Sequence, residues 1–142
     1  MRTVSQILQT KGSRVVSVAG ESPVLEAIRL MAEHHIGAVL VMHGAELVGI
    51  ASERDYARKV ILQGRSSADT PVAEIMSAPV TCVEPHESVA HCMAVMTERH
   101  IRHLPVTEDG RVVGIVSIGD LVKDVIADQE QEIVFLQQFI AS

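Results

Sequence analysis

The segment Gly49-Ile50-Ala51-Ser52-Glu53-Arg54-Asp55 returns as Gly114-Ile115-Val116-Ser117-Ile118-Gly119-Asp120, a displacement of 65 residues from 49 to 114. The same displacement carries Val18 to Val83, Met31 to Met96, His35 to His100, Val48 to Val113 and Val60 to Val125. Between 36 and 60, eight of the 25 pairs are identical without a gap. Upstream, Val4, Ile7 and Leu8 match Val72, Ile75 and Met76 at a displacement of 68, so three residues separate the two lead-ins, most simply in the loop before the first strand. The chain is one unit written twice. Two copies are too few for a solenoid, whose units need stacked neighbours on each face, so the copies are expected to cover each other.

Length and composition fit that expectation. At 142 residues with 47% apolar side chains the chain can bury a sizeable core, whereas a half of roughly 65 residues would be marginal alone; an intramolecular pair with one continuous core is expected. Apolar runs such as 36–42 are far shorter than the roughly 20 residues of a membrane span, and the N-terminal stretch has no apolar signal core. The expected location is the cytoplasm, with no membrane partner. A net charge of −6 opposes a phosphate backbone, and two Phe, one Tyr and no Trp remove the stacking platforms of single-strand binders, so no nucleic-acid partner is expected. Cys82 and Cys92, ten apart, lack redox or zinc spacing and read as buried reduced thiols.

Periodicity and breakers predict an α+β order written twice. In residues 1–63 it runs as a helix at 4–9, a strand at 15–18, a helix from Ser22-Pro23 to His34, a hairpin of 38–42 and 46–51, and a helix from Ser52. Residues 64–71 have linker composition. Residues 72–127 repeat the order: a helix at 72–76, a strand at 81–83, a helix at 87–99, a hairpin of 103–106 and 111–116, and a helix from Ser117. The stretch 128–142 has no counterpart after the first copy. It carries Ile133, Val134, Leu136 and Ile140 with Phe135 and Phe139, the phenylalanines four apart on one helical face, and reads as a self-association surface.

Gly-x-x-Ser-x-x-Asp has a structural explanation before a functional one. Ser52 and Ser117 stand where strands end and helices begin, so each is a natural N-cap, with the acid three residues on completing a capping box. The binding explanation uses the same places: a helix N-terminus suits phosphate, Ser adds a hydroxyl, and Asp offers two acceptor oxygens to the paired hydroxyls of a ribose. Lys11, Arg14, Arg54 and Arg102 flank the turns expected to converge. Seven histidines raise a metal site, but His100 with His103, or His86 with His91, are poorly spaced, and His34, His35 and His100 fall at predicted helix C-termini where a donor is favourable. No Ser-His-Asp or Cys-His constellation orients a base onto a nucleophile, so no catalytic residue and no catalytic cofactor is assigned.

With Ile36-Gly37-Ala38-Val39-Leu40-Val41, Ile101-Arg102-His103-Leu104-Pro105-Val106 and both Gly-x-x-Ser-x-x-Asp turns in view, nearly the whole chain resembles a tandem pair of cystathionine-β-synthase (CBS) domains. Lys11-Gly12, Ser52-Glu53-Arg54-Asp55-Tyr56 and Glu74-Ile75-Met76 are similar to the stand-alone bacterial signal-transduction proteins of that family. The resemblance implies a pseudo-twofold pair with two clefts that hold adenosine compounds. In the favoured cleft Asp120 would hold ribose and Ser117 phosphate, with Arg102, His103 and backbone near Ser17 and Gly37 around them. The mirror cleft would use Asp55, Ser52, Gly37, Ala38 and backbone near Thr81. Arg54 has Gly119 as its counterpart, so unequal affinities are expected, and Leu40 stands where Pro105 does. The implied protein is a homodimeric sensor for AMP, with ATP, NAD or S-adenosylmethionine as alternatives, signalling to an unidentified downstream protein. The rival readings are a dimerisation scaffold with vestigial clefts and a nucleotide hydrolase.

Overall fold

The computed structural model describes residues 2–141. Thr3 caps the first helix, α1 (Val4–Lys11), in a reciprocal capping box with Gln6. A short strand β1 (Ser17–Ala19), helix α2 (Val24–His34), and the hairpin β2 (Ala38–His43) and β3 (Glu46–Ser52) follow. Helix α3 (Glu53–Tyr56) then widens into a π turn at Ala57–Ile61. After a 3-10 turn at Val72–Glu74 come α4 (Val89–Arg99), the hairpin β4 (His103–Glu108) and β5 (Arg111–Ser117), and the long helix α5 (Ile118–Ala141). The expected terminal helix is thus the continuation of α5, and Ser142 lies outside the described residues. Both hairpins shift register at the same repeat position, after Val41 and after Val106. Helices α2 and α4 each end with a left-handed histidine, His35 and His100, whose N–H reaches back to the Met31 and Met96 carbonyls. Their place at helix C-termini is as expected, but the donor is the main chain and not the imidazole.

Two expected elements are corrected. The strand at 81–83 is reduced to a single parallel bridge, Val83 to Val106, where its counterpart β1 pairs with β2 over three residues. The cause is Pro105. Its counterpart Leu40 donates its N–H to the Val16 carbonyl at 3.1 Å, and a proline has no N–H for the equivalent bond. The helix at 72–76 is only a 3-10 turn, because Ser77 pairs with Ile50 in both directions at 2.8 and 3.1 Å and draws the chain onto the sheet.

The core expected as one continuous body is organised as two clusters joined by an exchange. Val4 and Ile7 of α1 are buried with Val83, Val89, Cys92, Met96, Leu104, Val116 and Leu121, all from the second copy. Val72 and Ile75 are buried with Val18, Val24, Met31, Val39, Val41, Ala51 and Val60, all from the first. Each lead-in is stitched to the other half by equivalent bonds: Val4 N–H to the Glu87 carbonyl at 2.9 Å, and Val72 N–H to the Ser22 carbonyl at 2.8 Å. The motif glycines admit the exchanged side chains. A Cβ on Gly114 would lie 2.8 Å from Leu8 Cδ2, and one on Gly49 would overlap Met76 Sδ. Neither half can keep its core without the other's lead-in, which makes the pair one cooperative unit. Cys92 is fully buried, its thiol pushed up to about 11 by burial and then by Glu87, as an inert core residue should be. Cys82, only partly buried, is a free thiol as well, its pKa also raised by burial.

Candidate functional site: a cleft between the two serine turns

The two Gly-x-x-Ser-x-x-Asp turns are capping boxes. Ser52 donates both its N–H and its hydroxyl to Asp55 Oδ2 at 3.0 Å, and the Asp55 N–H returns to Ser52 Oγ at 3.2 Å. Ser117 N–H donates to Asp120 Oδ2 at 2.8 Å, and Asp120 N–H returns to Ser117 Oγ at 3.2 Å. The first helical amides are used as well: Glu53 N–H goes to the Gly37 carbonyl at 3.0 Å and Ile118 N–H to the Arg102 carbonyl at 2.9 Å. These bonds are related by the repeat, and they lock each turn to the strand entrance of its own half.

The same turns face a cleft of about 700 Å³, within the size range of small-molecule sites. One wall holds Ser52, Glu53, Arg54, Asp55, Arg58 and Lys59, with Gly37 and Ile50. A second segment supplies Ser77, Pro79, Val80 and Thr81, and the opposite wall is His100, Ile101, Arg102, His103, Ser117, Ile118 and Gly119. Of the residues expected from the sequence, Gly37, Ser52, Arg54, Asp55, Thr81, Arg102, His103 and Ser117 therefore meet in one place. Ser17 pairs with Leu40 on the edge strand, Ala38 is buried, Arg14 is exposed in the loop before β1, and none of the three is on the cleft wall. Gly37 brings the walls together: a Cβ there would lie 3.4 Å from His103 Cε1.

Asp120 and Lys11 are elsewhere. Lys11 Nζ donates to Asp120 Oδ2 at 2.6 Å and to the Ile115 carbonyl at 2.7 Å, covering the carboxylate that the sequence favoured. Burial pushes the Asp120 carboxyl up, but the Lys11 and Ser117 hydrogen bonds and the Lys11 charge outweigh it and hold it below its usual value. His103 is held below the usual imidazole value by burial first and then by Lys11 and Arg102, with Asp120 acting the other way. In the first half the carboxylate is engaged as well, but by longer bonds on its second oxygen. Asp55 Oδ1 has Lys59 Nζ at 3.2 Å and the Ser77 hydroxyl at 3.4 Å, both long contacts, and Lys59 is anchored on the Ile75 carbonyl at 2.9 Å.

Sequence reasoning missed Arg58, Lys59, Ser77 and Val80. Arg58 and Lys59 follow Asp55 at one-turn spacing and carried a signal as cations beside a candidate acid. Ser77 carried none, since its place depends on the exchange of lead-ins. Among the described residues no group of three or more His, Cys, Asp or Glu could hold a metal ion.

The family model for the CBS domain matches residues 4–61 and again 72–127. Among curated proteins, the chain is 37% identical over 147 residues to the CBS domain-containing protein CBSX3, mitochondrial, of Arabidopsis thaliana, covering 97% of this chain and 71% of that protein. It is 34% identical to CBS domain-containing protein YhcV of Bacillus subtilis, covering 83% of this chain and 84% of that one. Among solved structures, a protein with CBS domains from Burkholderia ambifaria superposes with a TM-score of 0.87 at 54% identity, covering 90% of this chain and 96% of that chain. The CBS domain pair of protein MJ0100, in complex with 5′-methylthioadenosine and S-adenosyl-L-methionine, superposes with a TM-score of 0.80 at 26% identity, covering 90% and 98%. The chain belongs to the CBS-domain family, as a tandem pair of the kind found in stand-alone bacterial signal-transduction proteins.

Proposed function

We propose that this protein is a non-catalytic regulatory sensor that binds an adenine nucleotide in the cleft between its two halves. AMP is the first candidate, with ATP, NAD and S-adenosylmethionine as alternatives, and occupancy is passed on as a change in the angle between the halves. The observation that carries the reading is one cleft of about 700 Å³ lined by both serine turns and by arginines from both halves. A ligand touching both walls binds one relative angle better than another, and that differential affinity is what moves a conformational equilibrium. MJ0100, a relative at 26% identity, supports the ligand class by its bound adenosine compounds.

In this reading Asp55, through Oδ1, takes a ribose hydroxyl in place of its long contact to Ser77. Ser52, Arg54, Arg102 and backbone at Thr81 hold phosphate and base, with Gly37, His103 and Ser117 closing the opposite side. Lys11 with Asp120 is the mirror arrangement. The protein acts as a homodimer through the exposed face of α5 and delivers its signal to a separate protein. Its two free thiols suit a reducing compartment, which we take to be the cytoplasm.

A dimerisation scaffold with vestigial clefts is the second reading, and the capped carboxylates favour it. It also requires the crevices to be filled by side chains, and this one is open. Thermal melting separates the two readings. A ligand at 100 times its dissociation constant adds about 2.7 kcal/mol to native stability, so AMP or ATP should raise the melting temperature of the wild type and not of Asp55→Asn. A flat response to AMP, ATP, NAD and S-adenosylmethionine would leave the scaffold.

A further inference from the structure

We infer that the cleft selects its ligand by phosphate, taking phosphorylated nucleotides and discriminating against adenosine, its thioether and its sulfonium derivatives. This inference rests on the nucleotide-binding reading and narrows it. Arg54, Arg58 and Arg102 all line the cleft, and all three are exposed residues. Among the described residues none of them pairs with a carboxylate, although Arg2, Lys11, Arg29, Lys59 and Arg65 all do. The single side-chain bond of the three is from Arg54 Nη1 to the His100 carbonyl at 3.3 Å.

Three uncompensated guanidiniums around one cleft repel each other in a chain whose total charge is −6. An anion of fork-matching geometry relieves that repulsion, and phosphate is the group guanidinium forks fit in pairs of bonds. The remaining charges on the wall do not change the sign, because Lys59 is paired with Asp55 at 3.2 Å and leaves Glu53 alone against three arginines.

The repeat provides an internal control. At the displacement of 65, Arg54 and Arg102 correspond to Gly119 and Gly37, and Arg58 to Lys123, so two of the three guanidiniums are not dictated by the repeat. A sulfonium nucleoside brings its own positive charge to that wall and no phosphate to offset it. Of the ligands bound to MJ0100, S-adenosylmethionine carries that sulfonium and 5′-methylthioadenosine is uncharged, so neither supplies the phosphate that this wall fits.

Isothermal titration of the full chain with ATP, AMP, adenosine, 5′-methylthioadenosine and S-adenosylmethionine tests the inference. AMP and ATP should bind at least about tenfold tighter than the three unphosphorylated compounds, the scale of one charge-assisted bond. Arg54→Gln and Arg58→Gln should each weaken AMP and ATP by about tenfold while leaving adenosine unchanged, with melting curves showing the exposed substitutions folded. Adenosine or S-adenosylmethionine binding within about threefold of AMP, or arginine variants that weaken adenosine and AMP equally, would overturn the phosphate selectivity while the nucleotide cleft stood. Absence of binding by every compound would overturn the nucleotide reading and this inference with it.

Discussion

Lys11 Nζ lies 2.6 Å from Asp120 Oδ2 and 2.7 Å from the carbonyl of Ile115, so the acid of the second serine turn is held by a helix from the beginning of the chain. The acid of the first turn is met by Lys59 of its own half, at the longer distance of 3.2 Å, and lines the open cleft. At the displacement of 68 that relates the lead-ins, Lys11 corresponds to Pro79, which lines the open cleft. Titration calorimetry should therefore find one nucleotide bound per chain, and two equal sites would contradict this asymmetry.

Removing the Lys11 cation should cost stability as well as order. The pair is partly shielded, with side-chain exposures of 31% and 19%, so Lys11→Met should lower the unfolding free energy by about 1–2 kcal/mol, the worth of a charge-assisted bond. Chemical denaturation at neutral pH measures it. Repeating the measurement with Asp120→Asn in both backgrounds should show strong coupling between the two sites.

Acid should weaken the fold in two stages. His103 titrates in the folded protein below its ordinary 6.5, so the unfolded chain binds that proton more readily and stability falls as pH drops below about 6.5. Asp120 titrates below its ordinary 3.8; its contribution is complete above that value and is lost as pH falls through the folded one. Melting temperature should therefore decline from pH 7 to pH 5. His103→Gln should flatten that first decline and leave the later one in place.

The exchange of lead-ins makes a packing prediction. Gly114→Val and Gly49→Val would drive a side chain into Leu8 and Met76. Leu8 Cδ2 lies only 2.8 Å from where a Cβ on Gly114 would stand, and Met76 Sδ is closer still to the equivalent point on Gly49. Each substitution should cost about 1–3 kcal/mol by overpacking. Pairing Gly114→Val with Leu8→Ala should destabilise less than the two separate losses combined, as contacting sites do.

Helix α5 leaves Ile133, Leu136 and Ile140 exposed at 54%, 49% and 82%, at the three- and four-residue spacing of an apolar seam. If this face joins two copies, Ile133→Glu with Leu136→Glu should convert a dimer to a monomer in light scattering without lowering nucleotide affinity. A wild type that is monomeric at tens of micromolar would rule out the homodimer.

Much of this was legible in the chain because the repeat disciplined every local reading. Each hairpin was located by its twin, and the capping boxes followed from Ser and Asp three apart. What escaped depended on partners distant in sequence. The missing donor of Pro105 erased a strand whose own residues, Thr81 to Val83, are good strand formers. Ser77 reached Asp55 only because the second lead-in packs on the first half. The hold of Lys11 on Asp120 belongs to the same class, since the two stand 109 residues apart.

A nucleotide in the cleft between the serine turns would touch amides on both walls. The most direct test is a titration of 15N-labelled protein with AMP followed by amide chemical shifts. Saturable shifts are predicted at residues 52–55, 77–81 and 102–103, and they should be lost in Asp55→Asn. Shifts confined to α5, centred on Lys11 and Asp120, or absent at millimolar AMP would contradict it.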